Sequence, residues 1–181
     1  MKYYKEIQLR DGRNCVLRNA TAEDAQAVCS IMLKTHEETD YLLSYPDELL
    51  FTLEEERQYL QQKNDSDKEI EIIAIIDGLA VGTAGIDLVG KAYKVQHRAE
   101  FGMCVVKDHW RLGIGKALLN GCVECAREAK YKQLELSVVS DNFRAIRMYK
   151  NAGFIPFSRK PKGFQSRISG DQELIGMRLE L

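Results

Sequence analysis

Residues Val105 to Leu119 read VVKDHWRLGIGKALL and carry the strongest chemical signal in the chain. An apolar, β-prone run (Phe101, Met103, Cys104, Val105, Val106) ends in a short polar turn. Gly113 and Gly115 follow, and a helix-forming run starts at Lys116, Ala117, Leu118 and Leu119. Strand, glycine loop and helix start together form an anion cradle, because the first N–H groups of a helix lack internal partners and its dipole favours negative charge there. Glycine lets a phosphate approach the backbone with no Cβ in the way. The stretch therefore reads as a site for a phosphate-bearing cofactor, and its spacing excludes two such sites. A Walker A loop needs glycine where Trp110 stands and a hydroxyl where Ala117 stands; a dinucleotide fingerprint needs Gly or Ala where Leu118 stands. Taken alone, the two glycines equally suit an ordinary strand-to-helix turn.

A second segment separates these readings. In LELSVVSDNFRAIRMYKNAGF, Leu134, Leu136 and Val138 alternate with Glu135 and Ser137, the period of a strand. Ser140, Asp141 and Asn142 offer helix N-caps, Ala145, Ile146, Met148 and Tyr149 follow at helical spacing, and Gly153 ends the helix. Trp110-Arg111-Leu112-Gly113-Ile114-Gly115 resembles the Gln/Arg-x-x-Gly-x-Gly/Ala pyrophosphate loop of GNAT acetyltransferases, departing from it at Trp110. The second segment resembles that family's strand-x-x-Asn-x-x-Ala-Ile-x-x-Tyr-x-x-x-Gly-Phe signature, with Asn142, Ala145, Ile146, Tyr149, Gly153 and Phe154 in register.

The resemblance implies a mixed α/β fold, a twisted and mostly antiparallel central sheet with one splayed parallel pair, flanked by helices, in a single domain over residues 1–181. It implies acetyl-CoA as cosubstrate, no metal, and direct transfer of the acetyl group to a primary amine in a ternary complex. Arg111, Leu112, Gly113, Ile114, Gly115 and Lys116 would hold the pyrophosphate, mainly through backbone N–H groups. Met103, Cys104 and Val105 would pair with the pantetheine arm beside a strand bulge, with the Val105 N–H polarising the thioester carbonyl. Asn142 would bond the same arm, or serve only as an N-cap. Tyr149 would be the acid toward the CoA thiolate, or only a packing residue. Relatives that acetylate protein N-termini carry a Glu base where this chain has Ser137, which leaves Glu100, in HRAEFGMCV, as the candidate base; paired with Arg98 or Lys94 it would be only an edge carboxylate. Ser137 also keeps open a non-catalytic acyl-CoA-binding module of the same fold. HRAEF is similar to spermidine acetyltransferases near this strand, and the acidic residues Glu37, Glu38, Asp40, Asp47, Glu48, Glu54, Glu55 and Glu56 would attract a cationic amine, or simply solvate helix faces. A homodimer is the family expectation.

The remaining elements must position these groups. Cys15–Arg18 reads as the first strand, and Thr21 to Asp24 as a capping box opening a helix through Ala27, Val28, Ile31 and Met32. His36 to Pro46 reads as irregular, and Thr52 to Glu55 as a second capping box whose helix runs to about Gln62. Ile70–Ile76 and Leu79–Leu88 are strands joined at Asp77-Gly78, Pro161–Asp171 is a polar mobile loop, and Glu173–Leu181 closes the sheet.

Composition bounds the rest. The chain has 181 residues, 45% hydrophobic and 29% charged, with a net charge of −1, so no basic footprint for nucleic acid is present. It shows no membrane-length apolar run and no apolar leader, and five cysteines, an odd number, suit reduced thiols in a cytoplasmic protein. Cys122 and Cys125 fall on one helical stripe with Leu118 and Ala129, which reads as core packing rather than a metal or redox pair.

Overall fold

Strand character is densest in Ile70–Ile76, where IEIIAII is buried almost throughout rather than at alternate positions. Such a strand must be covered on both faces, and the computed structural model, which describes residues 1–181, shows helices on both. The chain runs β1 (Tyr4–Gln8), β2 (Asn14–Asn19), α1 (Ala25–Glu38), α2 (Leu53–Asp65), β3 (Ile70–Ile76), β4 (Leu79–Leu88), β5 (Arg98–Val105), α3 (Ile114–Glu128), β6 (Gln133–Val139), α4 (Phe143–Asn151), β7 (Ile155–Ser166) and β8 (Gly170–Glu180). One eight-stranded sheet has the order β1-β2-β3-β4-β5-β6-β8-β7. Every neighbouring pair is antiparallel except β5–β6, which is parallel.

The main core lies between the sheet and α3 and α4. Ile114, Leu118, Cys122, Cys125 and Ala126 of α3 pack with Ile70, Ile72, Ile86, Ala99, Phe101, Leu134 and Leu136. Both thiols of the Cys-x-x-Cys pair are free and buried there, as their helical stripe predicts. A smaller cluster on the opposite face joins Val28 and Leu60 of α1 and α2 to Ile73 of β3. Asp77 and Gly78 take φ of 50° and 80°, the two positive values a tight hairpin of this kind requires. No helix is long and apolar enough to cross a membrane.

Several boundaries differ from the sequence expectation. Cys15–Arg18 belongs to the second strand, because β1 pairs outside it from Tyr4↔Arg18 to Gln8↔Asn14. As an edge strand β1 keeps most side chains in solvent and has no apolar alternation to announce it. Thr21 does bond Asp24 as a capping box (2.8 Å), but it opens a single 3-10 turn that leads into α1. α1 continues through His36 to Glu38, since Thr35 and His36 are buried and extend its inner face. α2 runs on to Asp65, anchored by the buried Lys63, whose Nζ donates to the Ile86 carbonyl (2.8 Å).

Residues 161–171 are not a loop but mostly the two arms of the β7–β8 hairpin. Their side chains are polar because they are solvated, while the backbone is satisfied by pairing, with register shifts at Pro156/Ser158 and Lys160/Phe164. The hairpin tip is fastened to the chain after α1: Ser166 donates to Asp40 (2.5 Å) and Arg167 pairs with Asp47 (2.8 Å) and covers the Tyr45 ring (4.2 Å). β8 lies inside the sheet between β6 and β7, so β7, not β8, forms that edge.

Candidate active site

β5 and β6 are paired only where Arg98–Glu100 meets Gln133–Glu135. Beyond that point β5 stays with β4 as far as Val105, and β6 stays with β8 as far as Val139. The two halves of the sheet therefore part and leave a wedge between them. The Val106 N–H donates to the Val81 carbonyl (2.9 Å). Backbone alternation then turns the amide groups of Met103 and Val105 away from β4, into the wedge. The Val105 carbonyl accepts the Trp110 indole N–H (2.6 Å), while no partner for the Val105 N–H comes from β4. The bulge expected on this strand is not there: β5 and β4 keep one register from Ala99 to Val105, and the wedge arises from divergence of intact strands.

The glycine loop closes the wide end of the wedge. Arg111 and Gly113 have φ of 68° and 103°, and α3 starts at the next residue, Ile114. A Cβ on Gly113 would meet nothing, so glycine is needed there for its backbone conformation rather than for room. The first helical bond runs from Ala117 N–H to the Gly113 carbonyl (3.0 Å), leaving the N–H groups before it free to face an anion. Ile114 is a core residue whose only offering to the site is its backbone, and Leu112 also packs inward. Gly115 comes within 3.4 Å of Met103 when a Cβ is added, an ordinary contact. Lys116 is exposed on the first turn of α3.

Two arginines that sequence reasoning missed join this loop. Arg10, in the β1–β2 turn, donates its N–H to the Leu112 carbonyl (3.2 Å) and its guanidinium to the Arg111 carbonyl (3.4 Å). Arg144 lies over the Trp110 ring at 5.2 Å. Its pKa is lowered by burial and by Arg111 nearby, and it forms no ion pair with an acid. Trp110 thus ties the loop to the end of β5 and carries a cation from α4, which gives its departure from the usual motif a structural role. Arg144 had a readable signal: a basic residue in the first turn of a helix opposes the dipole unless an anion lies there.

Asn142 caps α4, its Oδ1 accepting from Ala145 N–H (3.2 Å), which leaves its amide nitrogen free. Tyr149 is 8% exposed, with its ring edge-on to Phe101 (6.2 Å) and tilted to Phe154 (5.8 Å). Burial pushes its pKa up to about 12. Glu100 is exposed on the opposite face of the sheet, the face α1 and α2 cover. It is not an edge carboxylate paired with Arg98 or Lys94: Arg98 is held by both oxygens of Glu135 (2.7 Å each). Glu100 lies in a cross-strand row with Asp87 on one side and Glu135 on the other.

The acidic segment is largely engaged within the fold. Glu38 accepts from the Lys107 N–H (2.6 Å), Asp40 from Tyr45, Ser166 and Ser169, Asp47 and Glu48 hold Arg167, and Glu55 caps α2 at Thr52. These residues fix the strap over the sheet rather than forming an open acidic wall.

Comparison with known proteins agrees with this geometry. The model of the Acetyltransferase (GNAT) family matches residues 30–154. The L-amino acid N-acetyltransferase AaaT of Escherichia coli (strain K12) is 35% identical over 85 residues, which are 46% of this chain and 52% of that protein, so the chain spans about half the length of that relative. Among solved structures, an acetyltransferase of GNAT family from Streptococcus pneumoniae superposes with a TM-score of 0.88 at 24% identity, over 92% of this chain and 99% of the other. The structure of yncA, a putative acetyltransferase from Salmonella typhimurium with its cofactor acetyl-CoA, gives 0.82 at 17% identity, over 92% and 94%.

Proposed function

Because the chain belongs to the Acetyltransferase (GNAT) family, we propose that it moves the acetyl group of acetyl-CoA to a primary amine by direct transfer in a ternary complex. The wedge carries this reading, since it opens between the two halves of the sheet and presents unpaired backbone amides along one wall. Free N–H groups at the start of α3, with Arg10, Arg111, Lys116 and Arg144 around them, suit a pyrophosphate. A thioester supplies an activated acyl carbon; everything else is asked of the chain.

Glu100 takes the proton of the arriving ammonium, whose reference pKa is about 10.4 and which is otherwise unreactive at neutral pH. Spacing from Glu100 favours Met103 over the expected Val105 as the carbonyl donor. At about 3.3 Å per residue, Val105 lies roughly 16 Å along β5 from Glu100, and Met103 about 10 Å. Only the nearer amide leaves a Glu side chain, an amine and one water within reach of a single carbonyl, so the Met103 N–H is the oxyanion donor and the Val105 N–H holds the arm behind it. Tyr149 stands on the other face of the wedge, toward α4. With its pKa pushed up to about 12, the phenol is a weaker acid than a thiol near 8.5. It therefore stabilises the departing sulfur chiefly as a hydrogen-bond donor, which replaces the expectation of matched acidities.

The test is a panel of amines, with α-amines of amino acids first because of the relative's activity, followed by thiol release and by calorimetric acetyl-CoA binding. Release of CoA with at least one amine supports the reading. Tight acetyl-CoA binding with no release for any amine replaces it with an acyl-CoA-binding module.

A further inference from the structure

A second carboxylate reaches toward the space beside Glu100. Ile70 and Ile72 of β3 pack with α3, whereas Ile73 packs with α1 and α2, so Glu71 projects to the same sheet face as Ile73. Its partner on β4 is Gly85, and a Cβ on Gly85 would collide with the Glu71 carboxylate. The side chain therefore lies across β4 in the direction of β5. Gly85 is paired in turn with Gly102 of β5, and a Cβ on Gly102 would meet no atom within 4 Å. Glu100 is two residues from Gly102 and so shares its face. The Glu71 carboxylate covers Gly85, and only the bare backbone of Gly102, one strand spacing of about 4.8 Å further on, separates it from the open space that Glu100 borders.

The surroundings of Glu71 are those of a proton store. It is 9% exposed, and Thr83 donates to its Oε1 (2.5 Å). From α2 it is faced by Lys63 and Glu56, and from β4 by Asp87. Its charge is also felt at Tyr59 of α2 and Cys104 of β5. Lys63 is 3% exposed and already paired with Asp87 (2.5 Å), with the Tyr59 ring 5.1 Å from its ammonium. That pair is neutral, so Lys63 does not fully offset an ionised Glu71, and Glu56 nearby opposes its ionisation further. Burial accordingly pushes its pKa up to about 7.

We propose that Glu71 holds the proton released by acetyl transfer: it passes from the ammonium to Glu100, then through water over Gly102 to Glu71. The inference rests on the acetyl-transfer reading above. In balance, the ammonium gives one proton to this route and its nitrogen forms the bond to the acyl carbon. The second proton leaves nitrogen as the carbon–sulfur bond breaks, and ends on sulfur. Glu71 then returns the first proton to solvent. Glu71 touches neither reactant and acts through Glu100, as a positioning residue.

The experiment is kcat against pH at saturating acetyl-CoA, with the amine of the panel that reacts fastest. For the unchanged protein kcat is expected to rise through a limb near the Glu71 pKa. Glu71→Gln should lower kcat about tenfold and abolish that limb while leaving the calorimetric affinity for acetyl-CoA unchanged. Thr83→Val removes a hydrogen bond that favours the ionised carboxylate, so it should move the limb to higher pH, and it serves also if Glu71→Gln does not fold. A uniform loss of rate with the limb unmoved in both variants overturns the proposal and leaves the transferase reading intact. Failure of the unchanged protein to acetylate any amine overturns both.

Discussion

Tyr149 and Trp110 show how single side chains divide the work at the wedge. Tyr149→Phe keeps the ring between Phe101 and Phe154 and removes only the hydroxyl. If the hydroxyl stabilises the departing sulfur, kcat falls about 10- to 100-fold with acetyl-CoA affinity nearly unchanged, read by steady-state kinetics beside calorimetry; undiminished kcat would remove the role. Trp110→Ala acts on binding instead. It frees the Val105 carbonyl and takes away the ring beneath Arg144, so acetyl-CoA should bind about tenfold more weakly. Trp110→Phe, which keeps a ring but not the indole N–H, should fall between. Glycines 113 and 115, Asn142 and Tyr149 were legible in the sequence because each sits at a fixed offset within one strand-turn-helix unit. Arg10 was not legible, since its contact with the loop joins residues 101 positions apart and depends on an edge strand with no pattern of its own.

Elements were legible where local and tertiary demands agreed. β3 and β4 have the limits their sequence gives them, because an apolar run covered on both faces is broken at Asp77-Gly78 by a turn that needs positive φ. β1, β7 and the outer end of β8 escaped notice for the opposite reason: backbone pairing holds them, and their side chains mostly face water. The start of α3 is the element on which cofactor binding depends. Gly113→Ala forces a Cβ into φ of 103°, at a cost of about 1–3 kcal/mol. Urea unfolding should register that loss, and acetyl-CoA affinity should fall further than stability does, because the cradle itself is reshaped. A variant with unchanged affinity would mean the loop does not need this conformation to bind. At α4, Asn142→Ala should cost about 1 kcal/mol through its cap alone.

At the scale of the whole molecule, the buried Glu71 gives stability a definite pH dependence. Glu71 has a folded-state pKa raised from 4.5 to about 7 by burial. The folded protein therefore holds this proton more tightly than the unfolded chain does. Below about 4.5 both states are protonated and the contribution is complete; as pH rises toward 7 the unfolded chain releases the proton first, and above 7 the contribution is gone. The shift corresponds to about 3 kcal/mol between those limits. Asp24, whose pKa is lowered by Arg18, acts in the other direction and only below the ordinary carboxylate range, so it stays outside this window. Urea unfolding at pH 5 and pH 8 should show the unchanged protein losing more stability than Glu71→Gln across the interval, by about 3 kcal/mol at most. In the variant an amide oxygen still accepts from Thr83, so the fold keeps its hydrogen bond while the titration is removed. Equal losses in the two proteins would mean that Glu71 ionises at its ordinary value, and that the cluster of Lys63, Asp87 and Thr83 compensates its charge in the folded state.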